Sequence, residues 1–254
     1  MVVSMNELFS PFRSKQTLIQ MGLCILVFIG MAVPFKVMVL IEGFTEVRPV
    51  NAVPVVVGLL LGPAGAWGCA IGNLIADLFG TFSKASILGF IGNFIAAYLP
   101  YKLWYLTGRK ETPNVKCYTN IMKFVLIVVI SALATALIIA CGLDVLLGMW
   151  VPQIFWIIIF NDVGFPILIG LPVFIVLTSK ESTLQITLPI RGLGNEKGKR
   201  TFLVNYVLIG ALLVSEFILL GMIGFGMQMS TSLLMAGFGG LFTIALLGVV
   251  VRII

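Results

Sequence analysis

The chain has 254 residues, of which 60% are hydrophobic and only 10% charged, with a mean hydropathy of +1.15, a net charge of +6 and no histidine. Soluble domains carry about a quarter charged residues, so this sequence is an all-α, polytopic membrane helix bundle in contact with the lipid bilayer. Its basic excess belongs to the charge bias of cytoplasmic loops, not to nucleic acid. The four cysteines are scattered without disulfide or metal spacing, and the missing histidine removes the usual acid–base group of membrane hydrolases and proton relays.

The lead "MVVSMNELFSPFRSKQ" reads as a short cytoplasmic segment. The apolar run after it is too long for a signal-peptide core and lacks a small-residue cleavage pattern. A membrane span needs about 20 apolar residues. On that basis the first helix is expected over 17–41 and a short second one over 50–62. A third is expected over 64–80, a fourth over 85–106, a fifth over 119–141 and a sixth over 151–178. Two more, over 201–224 and 231–253, follow a basic cytoplasmic linker. The organisation is thus a six-helix core (1–180), the linker (181–200) and a C-terminal hairpin (201–254). Gly62-Pro63, Gly108, Pro113-Asn114, Gly142 and Gly226 mark turns between these segments.

Placing the N-terminus inside and letting all eight segments cross puts every Lys and Arg on the cytoplasmic side except Lys36, Arg48 and Lys84. The positive-inside rule selects this orientation, with both termini cytoplasmic in the cell membrane. Tyr98, Tyr101, Trp104 and Tyr105 at the inner end, and Trp150 and Trp156 at the outer end, suit interfacial belts; packing accounts for them equally well.

In this topology the stretch "EGFTEVRPVN", with Glu46, Arg48 and Asn51, lies outside. Residues 45–51 are expected to dip over the mouth of the bundle with Arg48 or Glu46 facing inward; the bland alternative is a solvated connector. Lys36, Asn73, Asp77, Asn93, Asn161, Asp162 and Glu216 fall at membrane depth. A charge at the centre of a span costs roughly 2.5–3.5 kcal/mol and normally faces a bundle interior or a cavity. Each residue has an ordinary reading too: Asp77 as a helix cap, the asparagines as interhelical hydrogen bonds, Lys36 as a snorkelling surface lysine. Asp162 needs a partner, and Lys36 and Arg48 are the candidates. Asn73 and Asp77, four apart, share a helix face. All except Glu216 are expected at one depth, which points to a cavity in the outer half. The third helix is rich in small residues, with Gly68, Gly72 and Ala76 at intervals of four, and suits the centre of a compact bundle.

The stretch "VVGLLLGPAGAWGCAIGNLIADLFG" resembles the second and third helices of the substrate-binding (S) components of energy-coupling factor vitamin transporters. A short helix, a Gly-Pro turn, a Gly/Ala-rich helix and a closing Asp-Leu are shared, and residues 1–180 match that family's six-helix outline. The resemblance implies capture of a vitamin-like small molecule from outside, with no enzymatic activity. The pocket would lie in the outer half, here at Lys36, Glu46, Arg48, Asn51, Asn73, Asp77, Asn93, Asn161 and Asp162. It also implies association with a membrane coupling subunit and two ATPase subunits. The C-terminal hairpin is extra to that unit. No cofactor or metal is expected. A self-sufficient secondary transporter or channel working through Asp77, Asp162 and Glu216 is the alternative, although no internal repeat is visible. A sensor or assembly module comes third.

Overall fold

The computed structural model describes residues 7–36, 38–41, 45–80, 82–107, 112–179 and 199–252. Eight helices account for most of them: α1 (Lys15–Ala32), α2 (Ala52–Leu61), α3 (Pro63–Asp77), α4 (Ser86–Leu106), α5 (Tyr118–Leu147), α6 (Pro152–Thr178), α7 (Lys199–Gly224) and α8 (Leu233–Val250). Among the described residues five of these, α1 and α5–α8, are long and apolar enough to cross a membrane. Large side chains such as Phe160, Leu168 and Ile244 stand exposed on them, as lipid contact requires.

The order follows the apolar runs, but the first helix ends early. It was expected to continue to residue 41; instead α1 stops at Ala32, a 3₁₀ turn covers Val33–Phe35, and strands β1 (Val39–Ile41) and β2 (Thr45–Glu46) pair antiparallel. Pro34 cannot continue the helical ladder, and Val39 and Ile41 are β-branched residues that favour extended backbone. The bundle is therefore all-α with one small strand pair attached. The linker of 181–200 lies almost wholly outside the described residues.

Small residues decide how closely the first four helices approach. A Cβ on Gly58 would meet the backbone oxygen of Ala97, so α2 and α4 touch through backbone. On α3, a Cβ at Gly68 would run into Cys24, and one at Gly72 would lie 2.8 Å from the Cβ of Phe28, both on α1. The helix chosen from its glycines as central is thus packed on α1, α2 and α4. The α2–α3 turn needs Gly62, whose φ is +54°. At the end of α5, Gly148 (φ +64°) closes an αL cap, its N–H donating to the Asp144 carbonyl at 3.1 Å. Tyr98 and Trp104 are fully buried, so packing rather than a lipid-facing belt explains them.

Within α6 the segment Pro166–Gly170 is a π turn. Pro166 brings no N–H to the ladder, and a single π turn absorbs the mismatch. Gly170 then lets α6 lie against the first residue of α2: a Cβ there would be 3.2 Å from the Ala52 carbonyl oxygen.

The hairpin α7–α8 packs on α5 and α4 and is fastened at both ends. At one end Asp144 on α5 accepts from Ser230 N–H at 2.9 Å and from its hydroxyl at 2.6 Å. At the other, the fully buried Lys102 donates to Glu7 at 2.7 Å and to the Arg252 carbonyl at 2.6 Å, while Arg252 reaches Asn205 at 2.9 Å.

Candidate functional site

The segment after α1 enters the bundle as irregular chain. Proline at 49 starts a 3₁₀ turn, Pro49–Asn51, and α2 begins only at Ala52. Asn51 Nδ2 donates to Asp162 Oδ1, and Asp162 lies ten residues into α6. Ten residues of helix rise about 15 Å, and α2 itself is about 15 Å long. Together these match the roughly 30 Å hydrocarbon core. A loop that reaches the level of Asp162 would leave the short helix only the remaining half-thickness to cover. Irregular backbone at such depth requires protein partners, and it has them: the backbone N–H of Arg48 donates to Asn161 Oδ1 at 3.3 Å, and Arg48 Nη2 donates to Asn73 Oδ1 at 2.5 Å.

Beneath this segment lies a cavity of about 70 Å³, several times the about 10–15 Å³ that one water requires. Of the nine residues singled out from the sequence, seven line it: Arg48, Asn51, Asn73, Asp77, Asn93, Asn161 and Asp162. Lys36 is not on the wall. It lies past α1, not within it, and its ammonium donates to Asp77 Oδ1 at 3.1 Å, with the two side chains 6% and 9% exposed. Lys36 thus pairs with Asp77 and not with Asp162. Glu46 sits on β2; its side chain falls outside the described residues. Glu216 is fully buried in the hairpin, lines neither cavity, and its carboxylate finds no hydrogen-bond partner among the described residues.

The roles separate on inspection. Asn161 and Asn73 hold Arg48, and Asn73 also donates to Asp77 Oδ2 at 3.4 Å. Asn93 donates to the Gly89 carbonyl of its own helix at 2.9 Å. The fourth helix closes over this network at Gly89, where a Cβ would be 2.9 Å from Asn73 Nδ2. The sequence reading missed Ser83, Ser86 and Thr135, and the apolar wall of Ile139, Leu143, Ile154 and Ile158. Isolated hydroxyls and isoleucines in apolar helices carry no signal that separates a cavity wall from core. A spacing of four at Thr135, Ile139 and Leu143 on one face is the nearest thing to one. The described residues hold no group of three or more His, Cys, Asp or Glu that could take a metal ion.

A polytopic helix bundle with a cavity that is polar on one wall, apolar on the other and closed by a dipping loop defines a membrane component that holds a small molecule. Residues 14–179, more than half of the chain, match the family described as QueT transporter, and the chain belongs to that family. It is a substrate-binding component of the energy-coupling factor type, as its Gly-Pro turn and small-residue helix suggested. The match ends before α7. Among curated proteins and among solved structures, nothing matches the chain.

Proposed function

We propose that this protein captures a queuosine precursor from outside the cell and serves as the substrate-binding component of an ATP-driven uptake transporter. The observation that carries the reading is the cavity assembled from the Arg48–Asn51 loop and helices α3 to α6, in a chain of the QueT transporter family. A flat, hydrogen-bonding ring suits such a cavity: amide and carboxylate groups for its edge, Ile139, Leu143, Ile154 and Ile158 for its faces. Asp77 is neutralised by Lys36 and Asp162 is bonded to Asn51, which favours binding of an uncoupled organic substrate over the cation-coupled secondary transport considered above.

In this reading the cap end, with Lys36 and residues 47–51, faces outward, and both termini are cytoplasmic. Residues 1–180 form the binding unit. A membrane coupling subunit and two ATPase subunits supply the energy. The test has two arms. Purified protein should bind a queuosine-precursor base saturably without nucleotide, and cells should accumulate that base only when the ATPase partners are present. Uptake by the protein alone in liposomes, without ATP, would favour the secondary transporter instead. Binding of a vitamin from a panel in place of the base would replace the proposed substrate.

A further inference from the structure

Below the main cavity lies a second, smaller chamber of about 10 Å³, room for one water-sized group. The two share Asn51, Asn93 and Asp162, so the chamber lies directly against the main cavity. Its remaining polar residue is Ser131, on α5, only 1% exposed. Apolar groups, among them Val128 and Ala132, complete the walls.

The hydrogen bonds around this chamber leave two oxygens over. Asn51 Nδ2 is used on Asp162, and Asn93 Nδ2 is used on the Gly89 carbonyl. Each of these bonds takes one of the two N–H donors that an amide nitrogen carries. Among the described residues, Asn51 Oδ1 and Ser131 Oγ are buried with no hydrogen-bond partner. Ser131 also departs from four other hydroxyls in these helices. Thr135, Thr178, Ser215 and Thr243 each donate to a carbonyl three or four residues back in their own helix. The Ser131 hydroxyl makes no such bond and is left for the chamber.

What remains unsatisfied is the Asn51 carbonyl oxygen and the Ser131 hydroxyl, which accepts as readily as it donates, beside the Asp162 carboxylate. Such a set takes a small group rich in N–H. Buried polar groups left unpaired also discriminate strongly against ligands that lack the matching group.

Resting on the proposed function, we infer that this chamber is a specificity subsite that receives an amino group of the substrate, read by Ser131, Asn51 and Asp162. Substrate would lie with its ring in the main cavity and its amino group pointing down past Asn93.

The test uses purified full-length protein, a queuosine-precursor base, and analogues of it each lacking one amino group. Calorimetry on wild type should show one analogue binding roughly fivefold to tenfold more weakly than the parent, the worth of one neutral hydrogen bond. In Ser131→Ala, which removes only an unpaired hydroxyl, the parent should fall to that analogue's affinity and the difference between them should shrink. If Ser131→Ala shifts parent and analogues equally, or shifts none, the chamber holds water alone and the inference is wrong. Failure of every base to bind wild type counts against the functional reading only. The inference then stands on a structure of the protein with its captured ligand. An N–H donor of that ligand within hydrogen-bond distance of Ser131 Oγ and Asn51 Oδ1 supports it, and a ligand that leaves both oxygens unpaired overturns it.

Discussion

The Lys36–Asp77 pair sits at the edge of the cavity with both side chains under a tenth exposed. Two opposite charges so placed are weak evidence for net stability, but removing one of them strands the other. Lys36→Met should therefore lower the melting temperature markedly, on the scale of about 3–5 kcal/mol for a broken buried pair. Lys36→Met combined with Asp77→Asn should recover most of the loss, and a double-mutant cycle followed by thermal unfolding in detergent checks it. The pairing itself was not legible in the sequence. Lys36 was placed inside a helix that ends before it, and from there Asp162 was as reachable as Asp77. What could be read was the shared depth of Asn73, Asp77, Asn93, Asn161 and Asp162, because helix rise is fixed and intramembrane polar residues are few. Ser131 and Thr135 stayed hidden, since a hydroxyl in a span usually satisfies itself on its own backbone.

At the scale of elements, apolar runs locate every helix, and the errors fall where proline or a loop interrupts the run. Pro34 cut α1 short, and Pro166 produced a π turn that no periodicity announces. The small-residue pattern of α3 predicted close packing but not the partners. The structure supplies them, and with them a contrast. Gly58 and Gly72 are pressed against Ala97 and Phe28, whereas a Cβ added at Gly22 or Gly30 on α1 would meet nothing within 4 Å among the described residues. Gly58→Ala and Gly72→Ala should each lower the melting temperature. Gly30→Ala should leave it unchanged or raise it slightly, because alanine favours an exposed helix by roughly 0.5–1 kcal/mol over glycine. Comparison of the three variants by thermal unfolding decides whether α3 is the packing centre.

For the whole molecule, the hairpin and the orientation carry the predictions. The contacts of Asp144 with Ser230, and of Lys102 with Arg252 and Glu7, fasten the hairpin to the six preceding helices at both ends. Ser230→Ala should reduce thermal stability and leave ligand affinity unchanged, because neither partner lines the cavity. Orientation has a native probe. Cys117 is exposed while Cys24, Cys69 and Cys141 are buried, and it follows the basic loop proposed to be cytoplasmic. A membrane-impermeant maleimide should leave Cys117 unlabelled in intact cells and label it after permeabilisation; labelling in intact cells would invert the topology. That orientation rests on the charge asymmetry of the sequence, and the labelling tests it. The assembly of the cavity was readable only in part, since the descent of residues 47–51 depends on partners from α3 and α6 that lie far along the chain.

The most direct measurement is calorimetric titration of purified wild type, Arg48→Ala and Asp162→Ala with a queuosine-precursor base, without nucleotide or partner subunits. The loop-capped cavity predicts saturable binding to wild type and a loss of roughly tenfold to a hundredfold in each variant, the worth of hydrogen bonds to charged groups. Equal affinity in all three proteins would place the ligand elsewhere and contradict the account.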